Sequence, residues 1–290
     1  MYPIAYNTWH VISATDDLVP GKVEQTYLLG EPLQFVIDDT GKPTVWRVGP
    51  QAEPKNARAY VNTQLRYGYI WCVLGEPTKG IFEIPEYSEP DRRIMNALSV
   101  GINTSPPRAV ENFLDMAHFP FVHDGILGEE PHTEVVEYQV DYNEEAGEIW
   151  ATDCKFYQPK AAMASTEGVM ADYIYRVPHP FCAVLYKSSP EDLERMDVIS
   201  VFVTPLDEEH IKAHLAICIL DTTTEFDKDI RLFQQTILGQ DKPILENQMP
   251  RKLPLDVRAE TPIRADKSSI IYRRYLRDIG LRFGTIPEAT

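Results

Sequence analysis

The sequence predicts an α+β fold, with helices laid over an antiparallel sheet and a small all-β region in front. Three observations predict it. Strand-like stretches run in a block from Thr133 to Leu220, broken by turns such as Asn143 to Gly147 and Leu206 to Glu209. Helical spacing flanks that block, at Arg108 to His118 before it and at about Asp229 to Gln248 after it. The first 75 or so residues break into short apolar runs separated by Gly, Pro and Asp. Strands in a block with helices at its ends are the pattern of helices packed on one antiparallel sheet.

The elements follow in order. Gln25 to Leu29 and Leu33 to Ile37 read as strands around a Gly30-Glu31-Pro32 turn. Asp38 to Gly41 is a second turn, before a short apolar run at Val45, Trp46 and Val48. Gly49 to Ala59 is polar and holds Pro50 and Pro54, so it reads as a loop. Tyr67 to Leu74 reads as one aromatic and apolar strand. Pro77, Gly80, Pro85 and Pro90 mark a linker, which divides the chain into residues 1–80 and 81–290. Ile94 to Ile102 alternates as a strand does. In Arg108 to His118, Val110, Phe113, Leu114 and Ala117 recur at i, i+3, i+4 and i+7. The long helix has an apolar face of Ile230, Phe233, Ile237, Leu238, Ile244 and Leu245. Asp266 to Ser269 offers the N-cap of a last helix, and Gly280 its stop.

Composition narrows the function. The 290 residues carry 28 Lys+Arg and 44 Asp+Glu, a net charge of −16, which argues against nucleic acid or an anionic membrane as the main partner. A small molecule or a basic protein patch suits it better. No run approaches the length of a membrane span, and Met1 to His10 lacks a signal-peptide pattern. Cys72, Cys154, Cys182 and Cys218 lie far apart without zinc-site spacing, so they read as reduced thiols of a cytoplasmic protein.

The sharpest chemical feature is Asp115-Met116-Ala117-His118-Phe119-Pro120-Phe121-Val122-His123. Asp115 and His118, three apart, would share a helix face. Pro120 would end or kink the helix near Phe119, and the bend could bring His123 round to His118. Two core histidines with satisfied hydrogen bonds would also fit. Two neutral imidazoles suit Fe(II), Zn(II) or Cu(II), and a third ligand decides. Asp241 is a candidate, because it falls on the apolar face of the long helix at i+4 from Ile237. A carboxylate there is costly unless it is paired or binds a metal. The alternatives are a helix end at Gly239, with Asp241 as a cap, or an ion pair with an Arg. Two His and one carboxylate with open positions form the facial triad of non-haem iron oxygenases.

Glu111 to His123 resembles the mononuclear iron motif of Rieske oxygenase α subunits, and Gln240 to Gln248 resembles that family's third-ligand helix. The resemblance implies a helix-grip catalytic domain over residues 81–290, with Fe(II) on His118, His123 and Asp241. It implies Asp115 as the acid that links iron to an electron-donating cluster, and Asn112 as the polar residue beside the iron. Tyr2 to Ala5, Pro20-Gly21, Leu28 to Glu31 and Tyr67 to Trp71 look like strands that frame a Rieske domain. The cluster is missing: Gly49 to Gln64 holds neither Cys nor His, where a [2Fe–2S] centre needs two of each. Residues 1–80 are then a truncated Rieske-like β domain. Among Rieske oxygenases the chain is similar to a cluster-less N7-demethylase subunit of the bacterial methylxanthine (caffeine) system, through Glu111 to Tyr138, Cys154 to Ala162 and Ala265 to Ser269.

That likeness implies O2-dependent removal of an N-methyl group as formaldehyde. Electrons from NAD(P)H would arrive through a separate Rieske-containing reductase. A Rieske-bearing oxygenase subunit would share a trimeric or hexameric ring. The substrate pocket would lie between the long helix and the sheet. Gln234, two turns before Asp241, would hydrogen-bond a purine, or else satisfy a buried backbone group, and Ile237 and Leu238 would wall the ring. An O-demethylase or ring hydroxylase of the same chemistry, or a non-catalytic partner subunit, are the rival readings. Arg273, Arg274 and Arg277 read as a solvated face or a partner contact. His132, His179, His210 and His214 read as surface or structural.

Overall fold

In the computed structural model, residues 2–49, 59–160, 167–189, 192, 194–220 and 226–288 are described. Part of the expected Gly49 to Ala59 loop, residues 50–58, lies outside them, as do Ala161 and Ala162. A short helix α1 (Pro3–Tyr6) leads into β1 (His10–Ala14), β2 (Glu24–Leu28), β3 (Glu31–Ile37), β4 (Pro43–Arg47), β5 (Ala59–Tyr60), β6 (Asn62–Arg66) and β7 (Tyr69–Val73). These make two antiparallel sheets, ordered β2-β3-β4-β5 and β1-β7-β6.

Two hairpin turns correct the sequence reading. Leu29-Gly30 forms the first, with φ of 54° and 83°, while Glu31 and Pro32 belong to β3. Tyr67-Gly68 forms the second, with φ of 57° and 79°, so the expected single strand from Tyr67 begins only at Tyr69. Two successive positive φ values match the right-handed twist of the flanking strands.

The chain then enters β8 (Arg92–Ile102), followed by α2 (Pro106–Leu114), α3 (Phe119–Val122) and the strands β9 (Gln139–Asn143), β10 (Glu148–Gln158), β11 (Val169–His179), β12 (Cys182–Ser188), β13 (Met196–Pro205) and β14 (Ile211–Leu220). The seven strands form one antiparallel sheet, ordered β8-β14-β13-β12-β11-β10-β9. The expected α+β architecture is the observed one. Both faces of the sheet are covered, and the alternation of β12 shows how. Cys182, Val184 and Tyr186 pack with Trp9 just before β1 and with Val11, Tyr69 and Trp71 of the front sheet. Ala183 and Leu185 point the other way, into the core shared with Val110, Leu114, Leu245 and Tyr272 of the helices. The central strands β12, β13 and β14 therefore read as nearly continuous apolar sequence, because their two faces are buried by different layers, whereas the edge strand β9 alternates.

Two long helices close the far face. The first, α4 (Asp227–Asn247), lies against β8, where Gln235 donates to the Ala97 carbonyl at 2.9 Å and Lys242 to the Gly101 carbonyl at 2.9 Å. It runs on past Gly239, so Asp241 is not a cap, and it carries Pro243 in its interior. The second, α5 (Lys267–Asp278), ends as expected at Gly280, whose φ is +74°. The Gly280 N–H donates to Arg277 and the Leu281 N–H to Leu276, which satisfies the last carbonyls. Asp266 precedes the helix but takes the Ile263 N–H at 2.7 Å instead of capping it. Among the described residues, no helix is long and apolar enough to cross a membrane.

Candidate metal centre and its cavity

The site begins where α2 stops. Asp115 is extended, with ψ of 121°, and its Oδ1 accepts the Ala117 N–H at 2.7 Å. That side chain-to-backbone turn competes with the helix and folds the chain back. The helix thus ends at Leu114, not near Phe119, and Asp115 and His118 do not share a helix face. They meet through the turn, with Asp115 Oδ2 3.1 Å from His118 Nδ1. Pro120 starts α3 instead of ending α2, since a first-turn proline lacks only an N–H that would go unused. The single turn of α3 carries His123 back over His118, and the two Nε2 atoms stand 3.2 Å apart.

From α4, Asp241 completes the group. Its Oδ1 lies 3.3 Å from His118 Nε2 and 3.1 Å from His123 Nε2. The three ligand atoms lie within 4.8 Å of one another, the one such group of metal-binding side chains among the described residues. Each outer nitrogen is held. Asp115 takes His118 Nδ1, and the Gln240 Oε1 stands 2.9 Å from His123 Nδ1. With a proton on each Nδ1, both Nε2 lone pairs and a carboxylate oxygen converge on one point. Oδ1 of Asp241 is buried with no aligned hydrogen bond. Three electron-rich atoms facing one another without a partner fit a divalent cation, and two imidazoles with one carboxylate suit Fe(II). Without metal, burial pulls the His118 imidazolium down, but the carboxylates of Asp115 and Asp241 outweigh it and push it up to about 9. Burial raises the Asp241 carboxyl, and the two imidazoles more than offset this and hold it below its ordinary value.

A cavity of about 80 Å³ opens between α4 and the sheet, at the expected place, with all three ligands in its wall. Gln234, Ile237 and Leu238 line its helix side, and Tyr175, Leu185 and Ile199 its sheet side. Asn112 and His118 line this cavity and also an outer groove of about 220 Å³ that holds Asp115, Glu260 and Asp266. So the iron-site candidates Asn112, Asp115, His118, His123 and Asp241 and the substrate candidates Gln234, Ile237 and Leu238 gather in one region.

The arginine stretch does not behave as one face. Arg273 is buried and donates to Glu111 at 2.6 and 3.0 Å and to Glu260. Arg108, fully buried, joins the same two acids at 3.2 and 2.5 Å. Arg274 is exposed, and Arg277 pairs with Asp278 and Glu288. Of the other histidines, His214 is buried between Thr204 and Ser99, at 3.0 and 2.9 Å, and His179 is buried beside His10. His210 and His132 are exposed. Gln240 and the Arg108 network escaped the sequence reading. The one signal for Gln240 was its place next to a ligand candidate on the third-ligand helix.

Residues 102–281 match the vanillate O-demethylase oxygenase C-terminal domain family. The chain is 43% identical, over 96% of its length and 95% of the relative's, to a probable methylxanthine N7-demethylase of Pseudomonas sp. (strain TJI-51). It is 27% identical to the methylxanthine N1-demethylase of Pseudomonas putida over 74% of this chain and 59% of that one, so it spans about three fifths of that relative. In fold it is similar to the solved structure of Pseudomonas putida CBB5 NdmA with caffeine, with a TM-score of 0.76 at 20% identity over 96% of this chain and 91% of that one.

Proposed function

Because the chain belongs to the vanillate O-demethylase oxygenase C-terminal domain family, a family of Rieske-type oxygenases, we propose that it is the oxygenase subunit of an N-demethylase acting on a methylxanthine-like substrate, with N7 as the methylated nitrogen. N-demethylation is favoured over O-demethylation because the relatives at 43%, 27% and 25% identity are named for N7, N1 and N3. One observation carries the reading: the Nε2 atoms of His118 and His123 and the Oδ1 of Asp241 stand within 3.3 Å of one another in the wall of a cavity. Iron(II) bound there would supply O2 activation at its open positions.

The remaining steps belong to this chain's own residues. His118, His123 and Asp241 would hold the metal. Asp115 fixes the His118 tautomer and faces the outer groove, so it lies between the metal and any donor docked there. Gln234 would hold a ring carbonyl or nitrogen, Ile237 and Leu238 would wall the ring, and Asn112 lines the same cavity as the three ligands. The apolar walls keep water away from the reacting methyl group. The overall change takes N–CH3, O2, two electrons and two protons to N–H, formaldehyde and water.

Those electrons need a source. Gly49 to Gln64 holds neither Cys nor His, so we place the [2Fe–2S] cluster on another chain. On this reading NAD(P)H electrons pass through a separate Rieske-containing reductase. A Rieske-bearing oxygenase subunit completes a trimeric or hexameric ring in the cytoplasm. Residues 1–80 are then a cut-down Rieske-like domain and 81–290 the catalytic domain.

The test is iron content after anaerobic reconstitution, followed by formaldehyde release from 7-methylxanthine with a Rieske-bearing reductase. Near-stoichiometric Fe(II) in the wild type, lost in Asp241→Ala, is expected. No iron in either protein would leave the chain a non-catalytic partner subunit.

A further inference from the structure

Two polar atoms on the sheet side of the cavity have no hydrogen-bond partner: the Gln158 Oε1 and the Tyr173 hydroxyl. Gln158 is 1% exposed and Tyr173 2%. Gln158 ends β10 and Tyr173 sits on β11, across the cavity from Gln234 on α4. Apart from Asp241, they are the described residues lining this cavity that carry such an atom. A buried oxygen without a partner costs free energy, and folded proteins keep few of them. Asp241 has a reason to be left open, since a metal completes it. Gln158 and Tyr173 stand in the same wall and call for the same kind of explanation. Burial pushes the Tyr173 hydroxyl far up, so it stays protonated and can donate.

We propose that Gln158 and Tyr173 are specificity residues for the demethylation substrate, Gln158 accepting a ring N–H and Tyr173 donating to a ring carbonyl or unsubstituted ring nitrogen. This rests on the cavity being the demethylation site. It narrows the substrate class to an N-methylated lactam heterocycle that keeps at least one free ring N–H. Of the Gln158 amide, it is the oxygen that stands open in the wall, so the atom that selects is an acceptor. A methyl group on the paired nitrogen removes the donor and sets an apolar carbon against a buried oxygen that water does not reach. A site built to hydrogen-bond a group rejects the analogue that lacks it far more strongly than an apolar pocket rejects an added methyl.

The test uses the Fe(II)-loaded protein under anaerobic conditions, with binding followed by calorimetry. The probes are 7-methylxanthine, 1,7-dimethylxanthine, 3,7-dimethylxanthine and 1,3,7-trimethylxanthine. All carry the N7 methyl, and only the last lacks a ring N–H. The wild type is expected to bind at least one N–H-bearing probe tighter than the trimethyl compound by about 10-fold or more. Gln158→Leu should collapse that ratio to near one. Tyr173→Phe should weaken every probe by about 10-fold and leave the ratio in place. Equal binding of all four probes by the wild type, or an unchanged ratio in Gln158→Leu, overturns the proposal.

A second readout needs no ligand. Because the Tyr173 hydroxyl has no partner in the folded chain, Tyr173→Phe leaves the melting temperature of the free protein level or raises it by about 2 °C. A fall of more than about 2 °C means that the hydroxyl ties the fold together, and overturns the proposal. Failure of every xanthine to bind would sink the methylxanthine reading, whereas binding with no preference for a free ring N–H would sink this proposal alone.

Discussion

A metal-binding histidine coordinates through one nitrogen, and the partner of the other nitrogen decides which one that is. In this chain the two imidazoles have unequal partners. His118 leans on the Asp115 carboxylate, whereas His123 leans on the neutral Gln240 amide at 2.9 Å. Gln240→Leu removes that acceptor and frees the ring to rotate or change tautomer. Fe(II) affinity is expected to fall by roughly 10- to 100-fold, with Gln240→Glu keeping it, and anaerobic Fe(II) titration measures both. Equal affinity in Gln240→Leu would mean that packing alone orients His123. The ligand candidates were legible in the sequence for a physical reason. Asp241 interrupts an apolar helix face, and its cost there is visible without coordinates. Gln240 sits beside that face, where glutamine raises no question. Gln158 was invisible as well, because alternation along a strand shows which residues share a face and not what lies above it.

Helix ends depend on side chain-to-backbone bonds that periodicity does not report. The spacing of Val110, Phe113, Leu114 and Ala117 extends the first helix through Ala117, yet Asp115 takes the Ala117 N–H and ends it at Leu114. Tyr67-Gly68 hides in the same way, since an aromatic residue at a turn reads as strand until its φ of 57° is seen. What fastens α2 to α5 is also a matter of pairing. Glu111 on α2 meets Arg273 on α5, and both share partners with Arg108 and Glu260. Burial raises the Glu111 carboxyl, and the Arg273 and Arg108 guanidiniums only partly offset it. Glu111→Ala leaves two buried guanidiniums short of a carboxylate. It is expected to lower unfolding free energy by about 3–5 kcal/mol in urea titration. A loss under about 1 kcal/mol would show that Glu260 alone neutralises both arginines. The wall of the outer groove, formed by these helices and Glu260, should loosen with it.

At the scale of the whole molecule, the seam between the front sheets and the main sheet is where acid should act. His10 on β1 lies 2.7 Å from the Ala5 carbonyl, and His179 from β11 packs beside it with ring centroids 5.7 Å apart. His214 on β14 is enclosed by Thr204 and Ser99. Burial lowers all three: His10 to about 4, His214 to about 3, and His179 well below its ordinary 6.5, with the His10 charge adding to the last. In the folded chain they stay neutral down to those values, whereas the unfolded chain protonates them from about 6.5 downward. The unfolded state therefore binds more protons between pH 6.5 and about 4, and stability falls as pH falls through that window. Each histidine contributes a slope of up to about 1.4 kcal/mol per pH unit, so three make the loss steep before most carboxylates titrate. Urea unfolding at pH 7.5, 6.5 and 5.5 measures it. His214→Gln should be less stable at pH 7.5, having lost part of the Thr204 and Ser99 bonding, but should show about two thirds of the wild-type slope below pH 6.5. An unchanged slope in that variant would mean that the acid response comes from the chain's 44 carboxylates and not from the buried seam.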